Sequence, residues 1–149
     1  MAVLFLFYLI PCYSQTTAVH LNQLNLDKGV AISGYDPVAY FTQGRALKGK
    51  KDISYSLQGV EYRFASTDDE QLFRANPGKY EPQYGGWCAY AMGHDGSRVE
   101  VDPETFKVVD GKLFLFYNRF FNNTLKSWNQ DESRLHAQAD ANWKRFLQQ

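Results

Sequence analysis

Two runs of strict apolar–polar alternation, each folded back on itself by a two-residue turn, constrain this chain more than any other feature. Ile53, Tyr55 and Leu57 alternate with polar residues, Gln58-Gly59 follows, and Val60, Tyr62 and Phe64 alternate back. A period of two places every apolar side chain of such a segment on one side, so each strand offers a single face to a core. The pattern returns where Phe106, Val108 and Val109 run into Asp110-Gly111, a favoured type I′ turn pair, and Leu113, Leu115 and Tyr117 lead away. Helix signals lie between and after these hairpins. Asp36 before Pro37 predicts a capped short helix that ends at Gln43-Gly44. Thr67 with Glu70 three residues on predicts a capping box and a helix through Leu72 and Phe73, stopped by Asn76-Pro77-Gly78. From about Ser133, Leu135, Ala139, Trp143 and Phe146 keep helical spacing. The alternation of hairpin and helix predicts an α+β domain, a small antiparallel sheet built from two hairpins packed with short helices.

The N-terminus is of another kind. Ala2 to Pro11 is almost unbroken apolar sequence, and a run of about 10 residues is too short for a helix that must cross a bilayer with roughly 20. It has the length of a signal-peptide core, with Pro11 as breaker and Cys12 and Ser14 at the −3 and −1 positions of a cleavage site before Gln15. The expected organisation is a signal peptide over 1–14, a polar lead-in segment over 15–30 and one domain over 31–149. No later segment is apolar for long enough to span a membrane. The formal net charge is zero, with acidic and basic residues mixed along the chain. That argues against nucleic acid or an anionic membrane as partner, because both select basic patches. Cleavage would remove Cys12 and leave Cys88 as the sole cysteine, so no intramolecular disulfide can form. A lone thiol in an oxidising compartment must be buried, bound or paired between chains.

Catalytic motifs are missing: there is no GxGxxG, P-loop, HExxH or GxSxG. One cluster carries chemistry. Cys88, Met92 and His94 lie within seven residues, and a thiolate, a thioether and an imidazole together suit Cu(I) better than Mg or Ca. If residues 87–92 are helical, Cys88 and Met92 share a face and Gly93 lets His94 turn towards them. The competing reading packs Cys88 and Met92 into the core. A second reading takes Tyr84, Trp87 and Tyr90, crowded around Gly85-Gly86, as the lining of a pocket for a small apolar or planar ligand, or simply as core. A third makes Cys88 a thiol nucleophile with His94 or His136 as base, but nothing in the spacing supplies an orienting group, and no catalytic residue is assigned. His136 and Asp140, four residues apart, read as a surface pair on one helix face.

Several segments, taken in order, resemble the YHS domain family, in particular its small exported members. They are Gly34-Tyr35-Asp36-Pro37-Val38-Ala39-Tyr40-Phe41, Tyr62-Arg63-Phe64-Ala65-Ser66, the stretch from Pro77 to Tyr90, Val109-Asp110-Gly111-Lys112-Leu113-Phe114-Leu115, and Ala139-Asp140-Ala141-Asn142-Trp143. The resemblance implies a periplasmic or secreted location and a place beside metal chemistry. YHS domains in metal-pumping ATPases usually carry more than one cysteine, whereas this chain has Cys88 alone at the matching place.

Overall fold

The structure, a computed structural model, describes residues 19–149. The apolar run and the expected cleavage site therefore lie outside the described residues.

The polar lead-in does more than its lack of pattern suggests. Leu26–Asp27 (β1) and Val30–Ala31 (β2) pair antiparallel across Lys28-Gly29. The first expected hairpin is Lys50–Leu57 (β3) and Val60–Phe64 (β4), in register as Tyr55↔Tyr62 and Leu57↔Val60. These strands form one four-stranded sheet of order β1-β2-β4-β3, in which β2 runs parallel to β4. The second hairpin, Asp102–Val109 (β5) and Lys112–Phe116 (β6), is a separate two-stranded sheet. Asn118–Arg119 (β7) and Asn122–Asn123 (β8) make a third, which has no glycine turn to announce it. The α+β class is as expected, with the antiparallel hairpins divided among separate sheets.

Helices fill the gaps: Ala39–Thr42 (α1), Thr67–Ala75 (α2), Pro77–Tyr80 (α3), Ala89–His94 (α4), Thr124–Gln130 (α5) and Glu132–Leu147 (α6). The cap of α2 is Ser66 rather than Thr67, its hydroxyl accepting the Asp69 N–H at 3.1 Å. Glu70 is released to pair with Arg74 one turn on. Helix α1 begins two residues later than expected, with Val38 rather than Asp36 at its N-cap and Pro37 ahead of it, yet Asp36 still takes up the first free N–H groups and adds a tie. One carboxylate oxygen accepts Val38 N–H at 2.8 Å and Ala39 N–H at 3.3 Å, while the other accepts Ala65 N–H at 2.7 Å, joining α1 to the end of β4. Burial pushes this carboxyl up to about 6, the Ala65 bond opposes that rise, and Asp69 beside it adds to it.

The β6 strand explains the core. Its residues Leu113 to Phe116 are all buried, so the period-two rule sends them to both sides. Leu113 and Leu115 join Val38, Phe64, Phe73 and Tyr80 under the four-stranded sheet. Phe114 and Phe116 join Met92, Trp128, Leu135 and Ala139 among the helices. Each fully buried large apolar side chain contributes about 1.5–3 kcal/mol relative to exposure. Helix α4 reaches α6 through Gly93, where a Cβ would stand 2.4 Å from the Leu135 carbonyl oxygen. Only glycine fits that approach.

Candidate functional site

Two concavities flank the segment from Glu81 to His94. The smaller, of about 300 Å³, is bordered by Cys88, Tyr90, His94, Val99, Tyr117 and Thr124. Cys88 stands just before α4, with φ −57° and ψ 117°. Because that conformation is not helical, its side chain leaves the face along which Met92 points. The backbone holds it at both ends: its N–H donates to Val99 O at 2.9 Å, and its carbonyl accepts the Met92 N–H at 3.0 Å. Around the thiol runs a closed circuit. The Tyr117 N–H donates to Sγ at 3.3 Å, and the Thr124 hydroxyl donates to the Tyr117 carbonyl at 2.8 Å. Thr124 has spent its only proton there, so across the 3.4 Å contact between Sγ and Thr124 Oγ1 the thiol is the donor. Cys88 is fully buried although it borders the pocket.

The expected metal set is divided by this arrangement. Cys88 and His94 border one pocket, whereas Met92 is fully buried in the helical half of the core. His94 is exposed and its ring stacks on Tyr90 at 5.5 Å. Among the described residues no three His, Cys, Asp or Glu side chains come together as a metal-holding group.

The aromatic set is dispersed as well. Tyr90 belongs to the Cys88 pocket. Trp87 is fixed structurally, its indole N–H donating to Gln23 O at 2.8 Å while the Arg98 guanidinium lies 5.8 Å over the ring. Tyr84 is buried and donates to Asp140 Oδ1 at 2.8 Å. Burial first, and Asp140 second, push its hydroxyl pKa up. Asp140 is thus turned towards Tyr84, and its other oxygen stays 3.5 Å from His136 Nε2, which is buried without a hydrogen bond. The His136 ring packs edge-on against Phe114 at 5.1 Å, so one side of this partly exposed residue borders the core.

The larger concavity, of about 940 Å³, was not foreseen from the sequence. It runs between the β1–β2 pair, the β3–β4 turn and helix α6, with the segment Glu81 to Gly86 as its floor. Leu24, Leu26, Ile32, Leu57 and Tyr62 give it an apolar wall, and Trp143 faces them from α6. Its charged lining residues are Glu81, Asp140 and Lys144; Glu81 is half-buried and its carboxyl is pushed up from the usual value by that burial. The floor is shaped by Tyr84 and Gly85, at φ 56° and 61°, in the left-handed region. The lead-in is stapled over it: Asn25 N–H donates to Gly85 O at 2.9 Å, and the Asn25 side-chain amide to Gly86 O at 3.1 Å. The one sequence signal for this site is the trio Leu21, Leu24 and Leu26 in an otherwise polar stretch, and all three border it.

Comparison with protein-family models, with curated proteins and with solved structures finds no match to this chain.

Proposed function

We propose that this chain is a small exported binding domain of the YHS type, whose ligand occupies the cleft above Glu81. The observation that carries the reading is a mainly apolar cleft of about 940 Å³ whose lining includes the half-buried Glu81 carboxyl, with Asp140 and Lys144 on the α6 side. Binding sites are characteristically concave, mainly apolar and furnished with few polar groups. Among the described residues the Glu81 carboxyl makes no hydrogen bond or ion pair, so a ligand that brings a cation or donor offsets part of the carboxylate's desolvation. The ligand class is therefore an amphiphile with an apolar body and a positively charged or hydrogen-bond-donating head. Export rests on the Ala2 to Pro11 run, and the YHS assignment on the ordered string of motifs from Gly34 to Trp143.

The test is a calorimetric titration with dodecylammonium below its micellar concentration, with dodecanol as neutral counterpart. One-to-one binding that weakens tenfold or more in Leu57→Trp, which fills the cleft with an apolar ring, is the expected result. Equal binding by parent and variant would remove the cleft as the site.

A second reading keeps a soft metal at Cys88, favoured by the single fact that Cys88 and His94 border the same pocket. Copper as Cu(I) is its natural ion. Binding would need the thiol to leave the circuit with Tyr117 and Thr124 and lose its proton. A competition titration decides it: tight one-to-one Cu(I) uptake must vanish in Cys88→Ala, and undiminished uptake ends the reading. The thiol-dependent enzyme has less support, since among the described residues the partners of Sγ are the Tyr117 N–H and the Thr124 hydroxyl and no base.

A further inference from the structure

Two buried carboxyls meet where α1, the end of β4 and α2 converge, and the surrounding groups supply them with too few donors. Asp36 is 0% exposed and Asp69 7%, and the Asp69 carboxyl lies within hydrogen-bonding reach of the Asp36 carboxyl. The oxygens of Asp36 already accept the N–H groups of Val38, Ala39 and Ala65. Asp69 Oδ2 is buried and, among the described residues, has no hydrogen-bond partner. Two carboxylates in one buried site cannot readily both ionise, and a buried oxygen without a donor is costly. One proton held between them removes both costs, since a protonated carboxyl donates where a carboxylate only accepts. A metal ion is a poorer occupant, because the three N–H groups on Asp36 turn their positive ends towards the same site.

The charged and titratable neighbours on each packed element are otherwise engaged. On α1 the Tyr40 hydroxyl donates to Pro103 O at 2.7 Å. On β4 the Arg63 guanidinium pairs with Glu61. After α1, the Lys48 ammonium lies 5.2 Å over the Tyr35 ring. On α2 Asp68 is exposed and Glu70 pairs with Arg74. Among all these groups only Asp69 acts on the Asp36 carboxyl, and it acts to raise it.

We propose that Asp36 and Asp69 share one proton that clasps α2 to α1, and that the clasp opens as this proton leaves. Burial pushes the Asp36 carboxyl up to about 6, and because the two groups interact the step belongs to the pair. A carboxyl raised in the folded state contributes stability that is complete below its unfolded value and lost as pH climbs through the raised one. The clasp is therefore closed in acid and opens as pH rises through about 6. The test compares the full chain with Asp69→Asn, whose amide donates to Asp36 at every pH. Their unfolding temperatures should nearly agree at about pH 4 and differ by about 5 °C or more at about pH 8, the variant being higher. Glu81 titrates alike in both proteins, so the difference reports the pair. Amide exchange localises the effect: at the higher pH the Ala65 and Asp69 N–H groups should exchange at least about tenfold faster in the parent than in the variant. In the parent alone, the side-chain carboxyl carbon resonances of Asp36 and Asp69 should move together in a step near pH 6. Parallel unfolding profiles, or a gap that widens towards acid, overturn the proposal. So do carboxyl resonances that move in independent steps below about pH 5, whatever the variant does.

Discussion

Beside Cys88 the close approaches are to main-chain atoms, whereas beside the cleft the closest ones at Gly85 are to side-chain ends, with the Asn25–Gly85 tie as its fixed part. The Cys88 pocket leans on α4, whose Gly93 meets the Leu135 backbone, and on a circuit that runs through the Tyr117 N–H and carbonyl. The cleft instead meets Gly85, where an added Cβ would touch Trp143 Cη2 at 2.9 Å and Leu24 Cδ2 at 3.0 Å, both movable tips. Backbone cannot yield without separating elements, while a side-chain tip can change rotamer. The difference teaches where adaptation to a ligand belongs. The small pocket sits beside the tightly packed α4, and the cleft is bordered by side chains that can change rotamer.

Substitutions at four positions press on this contrast. Gly93→Ala should cost the most, about 3 kcal/mol, because overpacking against backbone forces α4 from α6. Chemical denaturation would show it, and the folded fraction should still bind dodecylammonium with parental affinity. Cys88→Val should cost about 2 kcal/mol, since it leaves the Tyr117 N–H buried without an acceptor, and Cys88→Ser, which keeps a donor and an acceptor, about half of that. If Val and Ser cost the same, the circuit is not what holds the pocket.

Glu81→Gln should weaken dodecylammonium about tenfold, equivalent to about 1.4 kcal/mol, and leave dodecanol unchanged. The same residue sets a pH dependence. Its carboxyl is raised by burial, so on acidification it loses its charge earlier than an ordinary glutamate. Affinity for the ammonium should fall as pH drops through that raised value, while affinity for the alcohol stays flat. Gly85→Ala should cost about 1–2 kcal/mol, for a Cβ in the left-handed region. It should also shift ligand affinity, since the displaced Trp143 and Leu24 tips line the cleft.

The hairpins were legible because alternation and glycine turns are local signals: Gln58-Gly59 and Asp110-Gly111 both adopt the left-handed pairs their sequence predicts. The Asp36 cap was legible for the same reason. The β7–β8 hairpin was not, since Phe120-Phe121 is the reverse of a turn signal. The site was least legible of all. Sequence proximity gathered Cys88, Met92 and His94, but a non-helical Cys88 sends its thiol one way while Met92 goes into the core. The cleft escaped because its walls come from segments far apart in the chain, as Leu24, Leu57, Glu81 and Trp143 do. None of these bears chemistry alone, and only tertiary structure brings them together. The lead-in reads as polar because its three leucines are too few to set a period, although they complete one wall.

The most direct test of the cleft as the ligand site is a two-dimensional amide NMR titration with dodecylammonium. Saturable shifts are expected at Leu26, Ile32, Leu57 and Glu81, with Tyr90, Tyr117 and Thr124 unmoved. Shifts confined to the residues around Cys88, or no saturable shift at all, would contradict it.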